Sequence, residues 1–189
     1  MVQSPEEIFD YNSKTYQVAV LSSPITAPYS GLVHCYFAMK NPQGKLSRLE
    51  IPGFLQSISL PVSEPSFDIL SVHEGLPVYP LFRTPRFTPT VVGLKQEDSN
   101  SLTHLLYDFL NHQDLVQVYP YSQRYDPLGP NSNTFVDWVF RIYPEFRSIF
   151  ELPTNALGKD YTDSKDSSHE LIRRKVESLE RRILPIAAE

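Results

Sequence analysis

The chain has 189 residues, 41% of them hydrophobic and 21% charged, which suits one globular domain with a sizeable core and excludes a low-complexity chain. Its formal net charge of −5 gives no reason to expect nucleic acid or an anionic membrane surface as a partner, and no run approaches the ~18 to 20 apolar residues of a membrane-spanning helix. Cys35 is the single cysteine, which rules out an internal disulfide and a CxxC metal site.

The N-terminus, MVQSPEEIFDYNSK, lacks the basic-then-apolar order of a signal peptide, so a cytoplasmic protein is expected. Residues 15–22, TYQVAVLS, alternate as a strand does. A second strand is expected at 31–40 and a third at 45–51, joined through Asn41-Pro42-Gln43-Gly44 as a β-hairpin. Proline is over-represented, with 17 against 7 glycines, and seven prolines fall between Pro52 and Pro89. That stretch also holds Phe54, Phe67, Tyr79, Phe82 and Phe87, so it reads as an ordered, extended insertion at 52–90. Its best strand fragment is Thr90-Val91-Val92, and His73 falls in a Pro-rich loop.

A helix is expected over 100–112, capped by Asn100 or Ser101, with Leu102, Leu105, Leu106, Phe109 and Leu110 on one face. A short strand at 115–121 would be cut off at Pro120. Next comes Gly129-Pro130-Asn131-Ser132-Asn133-Thr134-Phe135, a turn pair and polar cluster before a helix at 133–143 that Pro144 stops. A charged helix over 167–183 closes the chain, with Ile172, Val176, Leu179 and Ile183 in one stripe. Its Arg173-Arg174-Lys175 run has acidic neighbours and reads as a solvated face. The expected class is α+β, a short antiparallel sheet packed with helices. Residues 1–165 would form one domain and 166–189 a charged helix on it or extending from it.

Ser132 carries two readings. A small polar residue before a helix caps it, and local sequence favours that role for Ser132, Asn131 or Asn133. The same place suits a nucleophile, because the helix dipole and N–H groups around Asn131, Asn133 and Thr134 can hold an oxyanion. A serine then needs a base. His104, His112 and His169 read as polar-face or capping residues, which leaves His34 on the second strand, with His73 open. Neighbours on a strand point to opposite faces, so His34 and Cys35 cannot form a dyad, and a cleft-facing His34 implies a buried Cys35. With the turn centred on Pro42, Glu50 pairs directly with His34 and could orient its ring; a one-residue slip puts Glu50 on the other face.

The motif GPNSNTF, with Tyr119-Pro120-Tyr121 and Tyr125 before it and Leu152-Pro153 and Ala156-Leu157-Gly158-Lys159-Asp160-Tyr161 after it, resembles an uncharacterised bacterial family of unknown function. The resemblance is closest over 115–161 and weaker over 15–51, where His34, Tyr36 and Phe37 echo a strand His followed by an aromatic. Asn131-Ser132-Asn133-Thr134-Phe135 is also similar to the Asn-Cys-Asn-Thr-Phe motif of the PPPDE peptidases. It is similar, too, to the Asn-Cys-Glu-His-Phe motif of lecithin:retinol acyltransferase-like proteins. Both are circularly permuted papain-like (NlpC-type) thiol enzymes, in which the His lies on an early strand and the nucleophile at a later helix start. By that resemblance His34 is the base, Ser132 occupies the nucleophile position, and Glu50 maps to the orienting residue.

Serine where the family has a thiol weakens the nucleophile. The sequence therefore favours a degenerate, non-catalytic papain-like domain that binds a protein, peptide or lipid-like ligand in the old cleft. The alternative is an amide or ester hydrolase or acyltransferase using Ser132 and His34. No metal-ligand spacing or phosphate loop appears, so no cofactor is expected.

Overall fold

A computed structural model of the chain describes residues 8–24, 31–50, 71–74, 90–97, 102–111, 119–121, 126 and 129–162, together with 174, 177, 178 and 181. Strands β1 (Tyr16–Pro24), β2 (Val33–Lys40), β3 (Leu46–Glu50), β4 (Ser71–Glu74) and β5 (Thr90–Glu97) form one sheet in the order β4-β3-β2-β1-β5. Every neighbouring pair is antiparallel. Helices α1 (Leu102–Asn111) and α2 (Ser132–Ile142) pack on it, α1 against β1 and β5 and α2 against β2. The fold is α+β, as the alternation in the strands and the helical spacing after residue 100 imply.

Period 2 in β1 and β2 sends apolar side chains to both faces. Val18, Val20, Cys35, Phe37 and Met39 join Leu106, Phe109 and Leu110 of α1 and Phe135, Val136 and Val139 of α2 in the main core. Ala19, Leu21, Tyr36 and Ala38 face the other way and are covered by Ile8 and Phe9. The N-terminal segment is latched there by Gln17, whose side-chain amide accepts from Asp10 N at 2.9 Å and donates to Asp10 O at 2.9 Å. Lys40, wholly buried, adds a bond from Nζ to Ser13 O at 2.8 Å.

Helix α2 is buried from Ser132 to Phe140. Phe37 meets Phe135 and Phe140 edge-on, each at 6.0 Å between ring centroids. Tyr119 stands edge-on to Phe135 at 5.0 Å and to Trp138 at 5.1 Å. Buried Asp137 is held by Arg141 one turn on and faces Arg147 at 3.6 Å. The helix ends at Ile142 and a 3-10 turn, Pro144–Phe146, follows, because Pro144 has no N–H to extend the helix.

Residues 119–121 form a turn, which fits a break at Pro120, and the rest of the strand expected at 115–121 lies outside the described residues. Two expectations change. His73 lies on β4, its backbone level with Arg48, rather than in a loop. The hairpin pairs Lys40 with Leu46 and Phe37 with Leu49, so its centre is Gln43 and not Pro42. Gly44, at φ +81°, together with the bonds from Gly44 N to Asn41 O and from Asn41 N to Lys45 O, closes that five-residue loop. The caps Asn100 and Ser101 and the bulk of the 52–90 insertion lie outside the described residues. Of the 167–183 segment only Arg174, Glu177, Ser178 and Arg181 are described, and these are helical.

Candidate active site

The N-terminus of α2 assigns each of its polar residues a separate task. Asn131 is the N-cap, in extended conformation at φ −150°. Its Oδ1 accepts from Asn133 N at 2.9 Å and Thr134 N at 3.2 Å. Thr134 Oγ1 in turn accepts from Asn131 N at 3.1 Å and donates to Gly158 O at 2.6 Å. This is a reciprocal capping box, which needs a polar side chain at the cap and another three residues on. Ser132, the first helical residue, is thereby released from capping.

The freed hydroxyl turns to His34. Ser132 Oγ lies 2.6 Å from His34 Nδ1, across 98 positions of sequence. With the imidazole proton on Nε2, Ser132 donates and Nδ1 accepts. The imidazole is half-buried, and the Tyr36 ring stacks on it with centroids 5.6 Å apart and planes 28° apart. Tyr36 lies two residues along β2 on the same face, a placement that the period of a strand makes readable. Tyr36 is among the residues that carry the family resemblance, but its stacking on His34 comes from the structure alone.

Glu50 does not pair directly with His34. With Phe37 opposite Leu49, Glu50 falls level with Tyr36, two residues from His34, and its backbone pairs on the other side with Ser71 of β4. The oxyanion donors also narrow. The Asn133 and Thr134 amides are taken by Asn131 Oδ1, so of the three N–H groups at 132–134 only that of Ser132 is left outside the cap.

Cys35 is fully buried on the helix-facing side of β2. Burial pushes its thiol up to about 12, against a smaller opposing pull from Lys159. At neutral pH it is a neutral core residue, as the strand alternation implies. His104 is engaged elsewhere, with Nε2 at 3.0 Å from Asp108 Oδ2 and its ring stacked on Tyr16 at 4.1 Å. The side chain of His73 and the whole of His112 and His169 lie outside the described residues.

The site is backed by the loop at 155–158. Asn131 Nδ2 donates to Leu157 O at 3.1 Å, and Asn133 Nδ2 donates to the same oxygen at 2.9 Å. Gly158 has φ +81°, and a Cβ there would sit 2.7 Å from Asn131 Nδ2. The backbone must pass this close for Gly158 O to reach Thr134, which explains glycine at this position.

This half of the site also carries a likeness to other sequences. Residues 100–161 match the family described as "Protein of unknown function (DUF3750)". The match takes in the helix-start motif and the Gly158 loop, covers about a third of the chain, and leaves His34 outside. It agrees with the resemblance to an uncharacterised domain family that the 115–161 motifs suggest. Comparison with curated proteins and with solved structures yields no match. Among the described residues no helix is long and apolar enough to cross a membrane.

Proposed function

We propose that the chain is a serine-dependent acyl-transfer enzyme, a hydrolase or acyltransferase acting on an amide or ester. The observation that carries this reading is the 2.6 Å contact between Ser132 Oγ and His34 Nδ1. A serine hydroxyl gives no useful anion at neutral pH, so it requires a base already in contact, and an imidazole that accepts from it through Nδ1 is one. Support also comes from the order of the parts, a histidine on an early strand and a nucleophile at a later helix start, which is that of the permuted papain-like enzymes.

In the proposed reaction Ser132 Oγ bonds to the acyl carbon while its proton passes to His34 Nδ1. The carbonyl electron pair becomes an oxyanion, which the Ser132 N–H and the positive end of α2 stabilise. Collapse of that intermediate breaks the bond to the amine or alcohol, which leaves with the proton from His34. Water, or a second acceptor, then bonds to the acyl carbon as its proton passes to His34 Nδ1, and collapse breaks the bond to Ser132 Oγ, which takes that proton back from His34. The stacked Tyr36 ring keeps the imidazole plane fixed through both halves.

A fluorophosphonate probe tests this. Wild type is expected to label at Ser132, with labelling lost in Ser132→Ala and reduced by about 10²-fold or more in His34→Ala. Labelling that persists in Ser132→Ala, or none in wild type, rejects the reading. One observation favours a second one, a binding domain with a structural serine: Ser132 is only 4% exposed. In that case wild type stays unlabelled, and Ser132→Ala keeps both its fold and its ligand.

A further inference from the structure

Asn133 follows Ser132 in the chain and contributes nothing to the cap through its side chain. Its carboxamide reaches in the opposite direction, into β2. Oδ1 accepts from Cys35 N at 2.8 Å, and Nδ2 donates to Val33 O at 2.9 Å and to Leu157 O at 2.9 Å. The residue is only 3% exposed, and its bond to Cys35 N is buried. Val33 and Cys35 are the residues on either side of His34. The described β2–β3 ladder begins only at Phe37 with Leu49. Ahead of it, one side-chain amide offers β2 the same donor and acceptor that a residue of a neighbouring strand would offer.

We propose that Asn133 is the positioning residue of the Ser132–His34 pair. It clamps the backbone on both sides of His34 to the residue after Ser132, so the two reacting side chains share one rigid link. The inference rests on the reading of that pair as nucleophile and base. Only an amide serves: aspartate has no donor for Val33 O and Leu157 O, leucine has neither donor nor acceptor, and glutamine is one methylene too long for the same reach. The link matters because a displacement of about 1 Å between base and nucleophile is enough to cost 10²-fold in rate.

The test uses the full chain carrying Ser132→Cys and follows alkylation of the introduced thiol by iodoacetamide against pH, by peptide mass spectrometry. An imidazole in contact lowers a thiol pKa, so with Asn133 present the thiol is expected to titrate well below the ordinary ~8.5. Adding His34→Ala returns it to the ordinary range. Adding Asn133→Ala or Asn133→Leu is expected to do nearly the same, lowering the rate at pH 6 by about tenfold or more. Leu106→Ala, a core truncation on α1, lowers the melting temperature and leaves the profile unmoved, which separates positioning from general destabilisation. If His34→Ala has no effect, the pairing of Ser132 with His34 is wrong. If His34→Ala shifts the profile and folded Asn133 variants do not, the positioning role is overturned. Should those variants fail to fold, NMR of the chain with Asn133 intact decides. Side-chain amide protons of Asn133 that exchange as slowly as the Phe37 backbone amide support the clamp, and fast exchange overturns it.

Discussion

Gly44 and Gly158 share the same left-handed φ of +81°, yet a Cβ at Gly44 would meet nothing within 4 Å and one at Gly158 would strike the Asn131 carboxamide. The pair therefore separates backbone strain from steric conflict. Gly44→Ala is expected to cost about 1 kcal/mol, and Gly158→Ala clearly more than that, because Asn131 must move off its cap. Urea midpoints of the two variants measure the difference. Asn131→Ala is expected to cost about 1 to 2 kcal/mol on the same scale through loss of the cap. Cys35, buried and held neutral, is expected to resist iodoacetamide at pH 8 in the folded chain and to react once urea unfolds it. Mass spectrometry reads this directly. At this scale the sequence is half legible. Asn131, Ser132 and Asn133 are all competent caps by residue type, and only the spacing from Asn131 to Thr134 marks which one is used. That Ser132 was thereby free for His34 could not be read locally, because the contact spans 98 positions.

The elements are more legible than their alignment. Strand and helix boundaries follow period 2 in β1 and β2 and helical spacing in α1 and α2, within a residue or two of the observed ends. The register of β2 against β3 was not readable, because it turns on whether Gly44 adopts a left-handed conformation. That conformation moves the hairpin centre to Gln43 and shifts Glu50 away from His34. β4 was hidden because four residues on a sheet edge carry too short a pattern. Packing between α2 and β2 concentrates in Phe37, which is fully buried between Phe135 and Phe140. Phe37→Ala is expected to lower stability by about 3 to 5 kcal/mol, since neither neighbour can close the gap without leaving its own contacts. Phe37→Leu should cost distinctly less, and chemical denaturation ranks the two.

At the scale of the molecule, Trp138 is the single tryptophan, only 8% exposed and ringed by Phe109, Tyr119 and Phe135. Its emission is expected to shift red on unfolding with the same midpoint as far-UV circular dichroism, because the cluster draws on both helices. Alkaline pH should weaken the fold. Burial raises the Cys35 thiol to about 12 and also raises the Tyr16 and Tyr107 phenols. A group with a raised folded pKa gives its full contribution below its unfolded pKa and loses it as pH rises through the folded value. For Cys35 the loss runs from about 8.5 upward to about 12. Urea midpoints are therefore expected to fall above pH 8.5, and Cys35→Ala should flatten the first part of that fall. The capping box has a consequence on a longer timescale. Asparagine followed by a small residue is where polypeptides age, as the next backbone nitrogen attacks the side-chain carbonyl and ammonia is lost. In the fold, both side-chain amides flanking Ser132 are tied to fixed partners, which restrains the rotation that the attack requires. The same tripeptide that carries the candidate nucleophile should thus outlast its own chemistry while folded, and deamidate quickly in any molecule that has come undone.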